Sequence, residues 1–153
     1  MKRYQEFATH LDQLLGGVHA VRIAVSGCMP LSVEEIGSSG DGYRLVSLCQ
    51  YGEQNGDLMR DCDLAFMVSD LPDGMAAEPV LFRNDYLRIV QEVYRYEGAS
   101  RRTHIVPSLK QELKSLPGTG LPRSEIKGSL PPLRFERSCL RSLLDPFTGH
   151  EVL

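Results

Sequence analysis

Asp57, Asp61 and Asp63 are the tightest group of like ligands in this 153-residue chain. Carboxylates at such spacing can hold a hard cation through oxygen. Metal-assisted phosphodiester cleavage uses such an ion to activate water and neutralise developing charge. Glu34 could join them from a neighbouring strand. The same three acids could instead form a negative surface for a basic partner. A purely structural role also accounts for them, because Asp near a turn accepts backbone N–H bonds. The spacing is not that of a calcium loop, which needs Asp-x-Asp-x-Asp-Gly and a closing Glu. Other reactive groups form no known pattern. His10, His19, His104 and His150 have no triad partners, and no G-x-S-x-G elbow occurs. Gly37–Gly42 and Gly118–Gly120 lack the Gly-Lys-Ser/Thr that completes a phosphate loop. Cys28, Cys49, Cys62 and Cys139 contain no C-x-x-C pair, which argues against a zinc ribbon. No cofactor and no resident metal is expected.

The acids must be positioned by the stretch Tyr43–Val68. Asn55-Gly56 lies between two β-forming runs there. Such a pair is the strongest short-range hairpin signal, because a type I′ turn needs positive φ at both central residues. Counting outward pairs Gln54 with Asp57, Tyr51 with Arg60, Cys49 with Cys62 and Leu48 with Asp63. Period-2 alternation then puts Asp57, Asp61 and Asp63 on one face. Tyr51 and Arg60 fall on the other, where they could stack. Cys49 and Cys62 face each other in this register and are read as two buried thiols. The candidate binding set is Tyr51, Gln54, Asn55, Asp57, Arg60, Asp61 and Asp63, with Asp57, Asp61 and Asp63 as the alternative metal ligands.

Around the hairpin, residues 4–15 carry an apolar stripe at helical spacing, stopped by Gly16-Gly17. Val21, Ile23 and Val25 alternate as a strand, and a second strand is read from Leu31. Asp70–Gly74 is a turn, and Pro79–Phe82 a short extended piece. A second helix is predicted from Asn84 or Asp85 to about Tyr96, and a third opens at Ser108 with Gln111 closing a capping box. The expected fold is α+β: a small antiparallel sheet centred on the hairpin at about 43–68, with two or three helices packed against it. Residues 1–116 would form the single domain. Residues 117–153, Pro/Gly-rich and basic, would be an irregular C-terminal extension.

Charge is unevenly placed. Residues 1–75 hold 5 Lys/Arg and 11 Asp/Glu, a balance of −6, and residues 101–141 hold 9 and 3, a balance of +6. The basic segment 101–141 could touch nucleic acid, or its own acidic half. No apolar run is long enough to span a membrane. The first residues mix acids into their apolar stretch, unlike a secretory signal. A cytoplasmic location is the resulting expectation.

One resemblance is specific. Tyr51-Gly52-Glu53-Gln54-Asn55-Gly56-Asp57-Leu58-Met59-Arg60-Asp61 resembles the core H-Y-x-E-Q-N-G-D-L-M-x-D-P-E of a family of small uncharacterised proteins of bacterial plasmids, integrative elements and phages. Met29–Glu34 resembles its M-P-L-x-x-E element, and Arg83-Asn84-Asp85-Tyr86 its R-N-D-Y segment. Together these cover about residues 27–95. The family's histidine is Gln50 here, and its Pro-Glu is Cys62-Asp63. The resemblance implies a mobile-element setting and no reaction. It leads to the expectation of a non-enzymatic accessory protein of counter-defence or regulatory type, binding a host or element protein through the acidic hairpin. A metal-dependent nuclease or phosphodiesterase, or a nucleic-acid-binding module using 101–141, are the alternatives.

Overall fold

The structure is a computed structural model, and it describes residues 2–24, 29–98, 101–115 and 151–152. Helix α1, Lys2–Leu15, opens the chain and buries Phe7, Ala8, Leu11 and Leu15, the stripe seen in sequence. Six strands come after it: β1 Ala20–Ala24, β2 Leu31–Ser38, β3 Arg44–Gln54, β4 Asp57–Leu71, β5 Gly74–Asn84 and β6 Ile89–Glu92. Each pairs antiparallel with its sequence neighbour, so the spatial order is β6-β5-β4-β3-β2-β1. A two-stranded ribbon comes next, β7 Tyr94–Glu97 with β8 Arg101–Ile105, then α2, Pro107–Ser115. The two residues of β9, Glu151–Val152, pair with the outer side of β1.

The fold is therefore β-rich, which corrects the α+β expectation of a small sheet with two or three helices. The main error lies at residues 84–96. Asn84 does make the bond expected of a helix cap, since its Oδ1 accepts Leu87 N–H at 3.0 Å. That bond closes a turn instead. Arg88 adopts φ 53°, and the β-branched Ile89 and Val90 then continue extended in β6. Ile89 and Val90 pair with β5, and Val93 N–H donates to Val80 O at 2.8 Å. β-branched side chains favour strands because their restricted χ1 fits a pleated surface. The third helix exists, but it begins at Pro107, and Val106 O accepts its first N–H from Lys110. Except for Glu151–Val152, the extension expected from 117 lies outside the described residues, as do Cys28 and Cys139.

The central turn is as expected: Asn55 has φ 54° and Gly56 φ 84°. Pairing runs from Gln54↔Asp57 to Tyr51↔Arg60 as counted, then slips. Asp61 is an extra residue, so Gln50 opposes Cys62 and Cys49 opposes Asp63. A β-bulge of this kind exchanges the faces of the β4 residues beyond it relative to β3. Val46 and Leu48 now share one face with Phe66 and Leu64. α1 covers that face, with the Phe7 ring edge-on to Phe66 at 5.7 Å. Ser47, Cys49 and Asp63 share the other face. Cys49 and Cys62 are therefore on opposite faces, both buried and both free. Burial pushes the Cys49 thiol up to about 12, and it raises Cys62 as well.

Candidate functional site

β3 and β4 outrun their neighbours. β2 pairs no farther than Gln50 and β5 no farther than Asp63, so the hairpin end projects beyond the sheet. Its base is tied down by four consecutive residues. Arg83 Nε donates to the Asp63 carboxylate at 2.8 Å, directly across the β4–β5 ladder. Asn84 Nδ2 donates to Asp61 O at the bulge. Asp85 N–H donates to Arg60 O at 2.8 Å, while Asp85 Oδ2 accepts both Arg60 N–H and Arg60 Nε at 2.9 Å. Tyr86 lies over Gly52, where a β-carbon would overlap its hydroxyl. A side chain at position 52 would require the exposed end of Tyr86 to move aside. On the other flank Gln50 Nε2 donates to Met29 O at 3.3 Å. The three sequence segments of the resemblance thus meet in one place.

This geometry separates the three aspartates. Asp57 lies at the turn, exposed, on the face of Gln54 and Met59. Asp61 sits at the bulge. Asp63 faces the opposite way, with only 1% of its side chain exposed, and accepts Ser47 Oγ–H at 2.6 Å besides the Arg83 bond. Its charge is consumed by the fold. Among the described residues no three His, Cys, Asp or Glu side chains are grouped to hold a metal ion. Tyr51 and Arg60 are cross-strand partners as read, yet the guanidinium turns to Asp85. Burial pushes the Tyr51 hydroxyl up to about 12, with Cys49, Glu34 and Asp63 adding to the effect. Gln54 and Asn55 stay exposed at the tip.

Sequence reasoning missed Arg83, Asn84, Asp85 and Tyr86 as part of the site, reading the last three as the start of a helix. Their only signal was the R-N-D-Y resemblance. It also missed Leu58, which is 75% exposed at the tip. In the basic segment, Arg102 pairs with Asp41 at 2.7 Å and lies over the Tyr94 ring, and Lys110 pairs with Glu78 at 2.7 Å. Both serve internal contacts. Residues 116–141 of that segment lie outside the described residues.

Residues 2–119 match DUF6908, a domain of unknown function. The chain belongs to this family. No curated protein and no solved structure matches the DUF6908 chain. Among its described residues no helix is long and apolar enough to cross a membrane.

The Arg60–Asp85 pair gives the DUF6908 site a pH signature. The Arg60 guanidinium, and then the Arg60 backbone N–H, hold the Asp85 carboxyl below its ordinary value of 3.8. A carboxyl depressed in the folded state stabilises above its unfolded value, and that contribution is lost as pH falls through the lowered folded value. Asp85→Asn should therefore flatten the loss of stability below about pH 4. The difference is expected to be on the order of 1 kcal/mol or less, because both side chains are partly exposed. Urea unfolding at neutral pH and near pH 3 measures it. Parallel profiles for the two proteins would remove the pair from the account.

Proposed function

We propose that this DUF6908 protein is a non-enzymatic binding module, an accessory protein of a mobile genetic element that acts in the cytoplasm on a host or element protein. The projecting hairpin is its contact surface, with Tyr51, Gln54, Asn55, Asp57, Arg60 and Asp61 on it and Asp63 beneath as support. The reading rests on one observation: a hairpin end clamped at its base that holds an exposed leucine, Leu58, at its tip. A lone exposed leucine is ordinary on a protein surface. Here it neighbours the exposed Tyr51 on a ribbon end clamped at its base, and a pre-organised apolar pair of that kind suits a binding surface.

Leu58→Asp tests it. The substitution should leave thermal unfolding unchanged, because the side chain is 75% exposed. It should lower capture of the partner from extracts of an element-carrying host by about tenfold or more, the usual effect of losing an interface anchor. Identical capture by both proteins, with the same bound species, would end the reading.

A further inference from the structure

We infer that the segment of the partner that contacts the hairpin is basic and carries one bulky apolar side chain, which seats against Tyr51 and Leu58; this rests on the hairpin end being the contact surface. Tyr51 opposes Arg60 and Leu58 opposes Glu53, so Tyr51 and Leu58 are diagonal neighbours on one face of the ribbon. Diagonal pairs lie within reach of a single large side chain. They are 37% and 75% exposed, on the face turned away from α1. The unpaired charges beside them are of one sign. Glu53 stands across from Leu58 on the same face, and Asp57, the residue before Leu58, lies on the other face at the turn; both are exposed. Neither carboxylate takes part in a hydrogen bond or ion pair among the described residues. Arg60, the cation across from Tyr51, is held by Asp85 at 2.9 Å. An apolar pair bordered by free carboxylates is complementary to an apolar anchor flanked by Lys or Arg. The same carboxylates repel a phosphate backbone, which selects a polypeptide over nucleic acid.

The experiment is selection of a random-peptide phage library on the full chain, with subtraction on Leu58→Asp. The expected survivors carry two or more Lys/Arg around a large aliphatic or aromatic residue. A synthetic survivor, tracked by fluorescence anisotropy, should bind at least tenfold more weakly to Glu53→Lys/Asp57→Lys and weaken as salt is raised. Thermal unfolding of each variant confirms that it is folded. Survivors without net positive charge, or indifferent to the charge reversal, overturn the inference and leave the hairpin as the contact surface. No survivors that discriminate against Leu58→Asp overturn the inference, and if host-extract capture is likewise unchanged, the binding reading falls with it.

Discussion

Arg83→Met is expected to destabilise the protein by about 3–5 kcal/mol, the cost of breaking a buried ion pair from one side. The Asp63 side chain is 1% exposed. It has two kinds of partner: Ser47 Oγ at 2.6 Å and the Arg83 guanidinium, whose Nε is at 2.8 Å. Removing the guanidinium leaves the Asp63 carboxylate, 1% exposed, with Ser47 Oγ as its remaining side-chain partner. Much of that cost comes from the orphaned charge. Replacing both partners, Asp63→Leu with Arg83→Met, should therefore recover a large part of it. Urea unfolding of the two single variants and the double variant gives the coupling. An Arg83→Met protein within about 1 kcal/mol of the parent would mean that Asp63 is not closed off as described.

Phe66→Ala should cost a similar amount, about 3–5 kcal/mol, by opening a cavity between sheet and helix. Phe66 is 2% exposed, lies across from the fully buried Val46, and meets the Phe7 ring edge-on. Edge-to-face aromatic pairs contribute beyond the area they bury. Phe7→Ala is accordingly expected to lose part of the same stabilisation, and the double variant should fall short of the sum. Thermal or urea unfolding measures all three. Additive losses would show that α1 does not pack on this face through these two rings.

The two variants probe opposite faces of the sheet, and that division was only partly legible in the sequence. The hairpin was legible, because Asn55-Gly56 is local chemistry: two consecutive residues must take positive φ, and few pairs do so without strain. The apolar stripe of α1 was legible for the same reason, since helical spacing is a local property. The bulge at Asp61 was not. It is stabilised from outside the hairpin, by Asn84 reaching Asp61 O and by Asp85 standing in for a strand partner at Arg60. Counting outward from the turn could not anticipate a residue inserted by a distant segment. One inserted residue then moved Asp63 away from Asp57 and into a pair with Arg83.

The helix expected over 84–96 failed for a related reason. Asn84 has the same side-chain chemistry at the start of a helix and at the start of a turn, and it does cap Leu87 N–H. Whether residues 88–93 then coil or extend depends on the presence of an open strand edge. The upper part of β5 offered one, and Ile89 and Val90 took it.

By itself, the sequence determined the turn at 55–56, the amphipathic first helix and the β character of 43–68, all of which depend on neighbours a few residues apart. The tertiary structure alone decided which carboxylates are free and which are buried in pairs. That choice depends on register, register depends on a bulge, and the bulge is held by Asn84 and Asp85, more than twenty positions away along the chain.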